Sequence, residues 1–224
     1  MSAVPAPGRP YPPPARAEPL WPIQVALLAT IGLQLLLPER LTAGPSWLLP
    51  ALEAVLLIAL VLAFPRHLRE EHPLRRRVAL GFTAIVSAAN ITSLVLLARL
   101  LLQHGSPNGR QLIGAGALIW LTNVIIFSLW YWETDRGGPG RRAAGHDRAP
   151  DFLYPQMTDD RIEPIDWRPR YVDYLYVSLT NATAFSPTDT MPLTPTAKSL
   201  MGLQSLVSLV TLGLIISRAV NILQ

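Results

Sequence analysis

The chain has 224 residues, of which half are hydrophobic and only 15% carry charge, a balance that belongs to the membrane class. It contains no cysteine, which excludes disulfides and thiolate metal sites. Its formal net charge of +4 says less than the placing of its arginines, since Lys198 is the only lysine.

Residues 1–19 are a proline-rich tail (Pro5, Pro7, Pro10, Pro12, Pro13, Pro14 and Pro19 among them), predicted to be extended or disordered. Five apolar stretches follow: Leu20–Leu37, Trp47–Phe64, Ala79–Leu102, Leu112–Trp132 and Ala197–Ile216. Each approaches or meets the roughly 20 residues that cross about 30 Å of hydrocarbon as a helix. The first is too long for a typical signal core and lacks a small-residue cleavage site, so it reads as an uncleaved span. The connection Pro65–Arg77 holds Arg66, Arg69, Arg75, Arg76 and Arg77, and basic loops resist translocation, so it is expected in the cytoplasm. Span four opens on Gly114-Ala115-Gly116-Ala117, small enough for a close helix neighbour, and ends in the interfacial aromatics Trp130, Tyr131 and Trp132. The segment Glu133–Arg170 is polar, with seven arginines against eight acids, and is also expected in the cytoplasm. It is expected to be flexible through Arg148 and ordered against the bilayer over Asp151–Arg170.

The last quarter, Tyr171–Gln224, places Ser178, Thr180 and Thr183 ahead of the run Ser186-Pro187-Thr188-Asp189-Thr190-Met191-Pro192. This resembles the pore region of the two-helix potassium-channel pore domain, whose filter T-V-G-Y-G-D is followed by proline three residues later. Asp189 and Pro192 keep that spacing. Ser186 and Thr188 replace the two glycines and Pro187 the tyrosine, so the resemblance implies the architecture and not a potassium filter, because Ser and Thr resist the left-handed dihedrals a carbonyl filter needs. The runs Trp130–Pro139 and Asp151–Gln156 also resemble a group of uncharacterised bacterial integral membrane proteins, a resemblance that implies no activity.

A potassium-channel topology would put Glu133–Arg170 and the five-arginine loop outside. The conflict disappears if Tyr171–Phe185 crosses the bilayer, with Ser186–Pro195 as an outer loop. Val172, Leu175, Leu179 and Ala182 then form an apolar stripe. Asp173, Tyr176, Thr180 and Thr183 lie to one side of it, and Tyr174, Ser178 and Asn181 to the other; these polar sides must face helices or water. The predicted fold is therefore all-α: a polytopic membrane protein with six membrane-embedded helices, five clear spans plus one polar pore-helix-like segment. Its parts are the tail 1–19, a four-helix bundle 20–132, a cytoplasmic loop 133–170 and a hairpin 171–224. The expected location is the cell inner (plasma) membrane, multi-pass, with both termini cytoplasmic.

Glu53 and Arg99 fall about 9 Å and 5 Å inside the outer ends of their spans, at 1.5 Å per residue, close enough in depth to pair. The alternative is a snorkelling arginine and a protonated acid. On the last span Ser205, Ser208 and Thr211 form an i, i+3, i+6 row, with Gly202 and Gly213 allowing close packing or a bend. The row either lines a pathway or glues helices together. Thr194 is the expected cap of this helix, with Pro195 at its first position and Asp189 nearby. Asn90 and Asn181 open glycosylation sequons but are predicted inside helices. The histidines His67, His72, His104 and His146 lack metal-ligand spacing, and Asp159, Asp160 and Glu163 read as solvated loop charge. No nucleotide loop, nucleophile elbow or carboxylate pair is present. The expectation is a non-enzymatic protein without cofactor or metal, surrounded by lipid, forming homo-oligomers and binding no nucleic acid. The hairpin would serve as a pathway for a small ion or solute, or alternatively bind a partner subunit.

Overall fold

The computed structural model describes residues 19, 21–42, 44–63, 73–102, 109–143, 148–158, 167–184 and 189–223. The tail before Pro19, the four histidines, Asp159, Asp160, Glu163, Ser186 and Thr188 lie outside the described residues. Seven α-helices dominate: α1 (Trp21–Leu35), α2 (Leu48–Ala63), α3 (Pro73–Leu102), α4 (Gly109–Thr134), α5 (Pro139–Ala143), α6 (Tyr171–Ala184) and α7 (Pro195–Leu223). A small antiparallel ribbon joins β1 (Phe152–Leu153) to β2 (Met191–Pro192).

Among the described residues three stretches are long and apolar enough to cross a membrane: Leu74–Leu101, Gly109–Gly137 and Pro195–Val220. With 15 and 16 residues, α1 and α2 fall short of the roughly 20 that a perpendicular span needs. Several helices overrun their apolar stretches. Two of them, α3 and α7, open on proline, whose fixed φ suits the first helical position, and α3 takes in Arg75, Arg76 and Arg77 near its start where a loop was expected. Hydropathy marks where a helix is embedded, not where it stops.

The chain reverses at the end of α4 through three successive left-handed residues, Arg136 (φ 52°), Gly137 (84°) and Gly138 (101°). Two glycines make this turn affordable. It folds α5 back on α4, where the Arg142 guanidinium donates to the carbonyls of Trp132 and Asp135, both at 2.8 Å. Residues 135–143 are thus ordered and packed, not the flexible stretch expected from their glycines and mixed charge.

Helix α4 is the central post. At its carboxyl end Ile126, Phe127 and Tyr131 share a core with Ala26 and Leu27 of α1, Phe82 of α3, Phe152, Tyr174 of α6 and Met201 of α7. At its amino end Leu112, Ala115 and Ile119 meet Leu37, Leu41, Leu94, Leu97 and Val207. Gly116 lets α7 approach so closely that a Cβ there would sit 2.6 Å from Ile215 Cγ1. Gly202 and Gly213, expected to serve close packing or a bend, have open space where a Cβ would project. Large apolar side chains such as Leu28, Val55, Ile85, Leu206 and Ile216 face outward.

These contacts overturn two expectations of topology. Segments assigned to opposite sides of the bilayer are hydrogen-bonded to one another, since Phe152 pairs with Pro192 and Leu153 with Met191. Helix α6 starts beside the end of α4, and Met191, Pro192 and the start of α7 lie at that same end. In addition, α1 runs alongside α7 and both oppose α4, so the start of α1 and the end of α7 lie at opposite ends of the bundle. They cannot share the cytoplasmic side if the helices cross a bilayer. The arginine rule counts charge and does not see the pairing of β1 with β2; α6 has 14 residues, about 21 Å, against the roughly 20 residues of a perpendicular span.

Candidate functional site: a polar network inside the α4–α6–α7 bundle

The buried side of α6 coincides only in part with the apolar stripe of the sequence pattern, since Ala182 is buried and Leu175 packs half-buried against the core. Val172 and Leu179 are exposed, whereas Tyr174, Val177, Ser178, Asn181 and Ala182 turn inward. Among apolar surroundings there is no penalty for leaving Val or Leu outside, but an unpaired amide is costly, so the polar side chains seek one another.

They meet at Gln204 of α7, which has no exposure at all. Its Oε1 accepts from the Tyr131 hydroxyl at 2.5 Å and from Asn181 Nδ2 at 2.9 Å. Its Nε2 donates to the Ser178 carbonyl at 2.9 Å and to Ser178 Oγ at 2.7 Å. Ser178 Oγ donates to the Val124 carbonyl at 2.6 Å, and Asn181 Nδ2 also reaches the Met201 carbonyl at 3.0 Å. Ser205 Oγ closes the set on Asn181 Oδ1 at 3.2 Å. Deeper along α7, Ser208 Oγ accepts from Asn123 Nδ2 at 2.9 Å, while Thr211 Oγ1 returns to the Val207 carbonyl at 2.7 Å. All the hydrogen-bonding capacity of the Gln204 amide is used, which is what low dielectric demands of a buried amide.

A second network fastens the bundle end. Asp135 and Asp151 are both buried, and each carboxylate is gripped from two sides. Asp135 accepts from the Tyr174 hydroxyl at 2.6 Å and from the Asp151 amide at 2.9 Å. Asp151 accepts from the Arg136 amide at 2.8 Å and from Thr194 Oγ1 at 2.6 Å, while its carbonyl accepts from the Leu193 amide at 2.8 Å. Above them Phe152, Tyr174, Tyr154 and Trp167 stack edge to face or tilted, with centroids 5.5–6.4 Å apart. Burial, reinforced by the Asp135 and Asp173 carboxylates and opposed by Arg142 and Arg136, pushes the Tyr154 phenol well above its ordinary pKa.

The remaining predicted residues scatter. Asp173 serves the start of α6, accepting the Arg170 amide at 2.6 Å in half of a capping box. Thr180 and Thr183 hydroxyls bond carbonyls of their own helix. Asp189 is exposed, and Asn90 and Asn181 lie buried in α3 and α6. Thr194 caps α7 as expected, accepting from the Ala197 amide at 3.3 Å, and in addition donates to Asp151. Thr194→Ala is therefore expected to cost about 1–2 kcal/mol, through the lost cap and the loss at Asp151, in unfolding measured in detergent micelles.

Glu53 and Arg99 do not pair. Glu53 is wholly buried and takes a 2.5 Å bond from Gln34 Nε2, whereas Arg99 is exposed. Equal depth says nothing about which face of a helix a residue occupies, and that angle separates them. An ion pair lies at the other end of α3, Arg75 Nη1 to Glu133 Oε1 at 3.9 Å.

Comparison with protein-family models, with curated proteins and with solved structures finds no match. The likenesses to the potassium-channel pore and to bacterial membrane proteins therefore rest on the quoted residues alone. Tyr131, Asn123, Asp135 and Asp151 are the site residues that pattern reading missed. Tyr131 and Asn123 sit in an apolar span whose faces the sequence does not distinguish, and nothing in the spacing of Asp135 and Asp151 marks them as partners.

Proposed function

We propose that this protein is a non-enzymatic, multi-pass protein of the cell inner membrane that acts as a structural or accessory subunit, with its re-entrant hairpin as a fixed wedge instead of a conduit. Six membrane-embedded helices serve this role: α3, α4 and α7 crossing, α1 and α2 as a shorter hairpin, and α6 entering and returning. The observation that carries the reading is that Ser178, Asn181, Gln204 and Ser208, the hairpin residues best suited to line a path, are turned inward and consumed by bonds between helices. A path needs polar groups free to exchange partners with a passing ion or solute, and a saturated network holds its shape.

The end bearing Arg75, Arg76, Arg77, Arg136, Arg141, Arg142, Arg148, Arg168 and Arg170 is the cytoplasmic one; Arg40, Arg99, Arg110 and Arg218 lie toward the other. Since the native chain lacks cysteine, single cysteines report sidedness cleanly. Arg170→Cys and Asp189→Cys flank the re-entrant segment, and both should resist an impermeant thiol reagent in intact cells and react after lysis. Arg110→Cys should react from outside. Labelling of Asp189→Cys alone from outside, with Arg170→Cys protected, would restore a crossing α6.

A second reading has one observation in its favour. Tyr176, Thr180 and Thr183 make a polar edge on the outward side of α6, where several copies could enclose a path between them. Planar-bilayer recording separates the two. A silent bilayer with an intact oligomer supports the accessory role, and a conductance abolished by Thr183→Leu supports the shared path.

A further inference from the structure

Between the α1–α2 hairpin and the α3–α4 pair lies a cavity of about 190 Å³, in the half of the bundle away from the arginine-rich end. Its lining is mostly apolar, with Gln34, Thr42 and Ser46 on the α1–α2 side and Asn90, Ser93 and Thr122 near the middle of α3 and α4. The last three are more than nine-tenths buried. Elsewhere on α3, Thr83, Ser87 and Thr92 satisfy their hydroxyls on the carbonyl four residues back. Asn90, Ser93 and Thr122 form no side-chain hydrogen bond among the described residues and are not sealed off from the cavity. Three buried polar groups opening unpaired into one space ask for a partner that supplies both donors and acceptors.

We propose that this cavity binds the head group of an uncharged, membrane-borne amphiphile of phenol type, a hydroxylated six-membered ring on an apolar tail. The size fits, because an apolar cavity of about 150 Å³ holds benzene, and the excess here leaves room for a polar substituent. Charge is excluded by the lining, which contains no ionisable residue; Glu53 is held aside by Gln34. The route is lateral. Leu48 and Leu52 line the cavity yet are exposed on the outer surface of α2, so a tail can lie over them into the lipid while the ring reaches Asn90.

The test uses the full chain in lipid nanodiscs, titrated calorimetrically with 4-hexylphenol and with hexylbenzene, which lacks the hydroxyl. Hexylphenol should bind saturably at one site per chain, about tenfold or more tighter than hexylbenzene, the scale of one hydrogen bond made to a buried group. Asn90→Leu should abolish the saturable component. Ser93→Ala combined with Thr122→Val, which removes hydroxyls with little change of shape, should weaken it by a similar factor and stands in if Asn90→Leu does not fold. Equal affinity for the two probes would make the cavity a greasy slot for lipid tails. Partitioning no different from empty nanodiscs, or binding unchanged in the variants, would equally overturn the proposal.

Discussion

Asp135→Ala is expected to destabilise the protein by about 3–5 kcal/mol. The substitution leaves the Tyr174 hydroxyl and the Asp151 amide facing no acceptor, and each orphaned buried donor costs roughly 1–3 kcal/mol. Tyr174 is wholly buried under Phe152, so it cannot turn to water for relief. The damage should spread along the ribbon, because Asp151 also fixes the Arg136 amide and Thr194. Reversible unfolding in mixed micelles measures the loss, and limited proteolysis should show new cleavage within residues 148–158. Asp135→Asn keeps an acceptor for the Asp151 amide and should cost about half as much. A loss below about 1 kcal/mol in the alanine variant would mean that this carboxylate does not hold the bundle end together.

Gln204→Leu should come next, at about 2–3 kcal/mol. Gln204 makes four side-chain hydrogen bonds, and interhelical bonds within membranes average about 0.6 kcal/mol apiece. Leucine restores the volume, so the deficit reports the polar network and not a cavity. The neighbouring Ser205→Ala removes one 3.2 Å bond and should cost well under 1 kcal/mol. Equal losses from the two would place the stability of the hairpin in packing and not in hydrogen bonding.

What the sequence made legible and what it hid divide along physical lines. Apolar length located α3, α4 and α7 because crossing hydrocarbon sets a minimum run of residues, a one-dimensional requirement. The cap at Thr194 was equally legible, since a hydroxyl followed by proline at a helix start is a local device. The faces of the helices were not. Of the apolar stripe on α6, Val172 and Leu179 are exposed while Leu175 is half-buried and Ala182 buried, so the stripe does not mark one face. Within the last helix Ser208 and Thr211 do fall on the buried face, but the residue that gathers the network is Gln204, outside the serine–threonine row. The Glu53–Arg99 pair failed for a related reason, as depth was computable and orientation was not. The potassium-channel resemblance puts both ends of this segment on one side and the arginine counts oppose it; the ribbon that brings the two ends together joins residues far apart in the chain, which no local pattern shows.

That ribbon bears on how the protein is made. Phe152 and Leu153 leave the ribosome well before Pro192 and Met191, and α6 emerges between them with Ser178 and Asn181 still lacking Gln204. A helix of 14 residues with an unsatisfied amide on its inner face is poorly suited to enter a bilayer by itself. Its packing is therefore completed late, when the first turns of α7 arrive carrying Met201 and Gln204, just after Thr194. Helix α7 completes the burial of α6, made before it, so the order of translation and the order of assembly differ over this stretch.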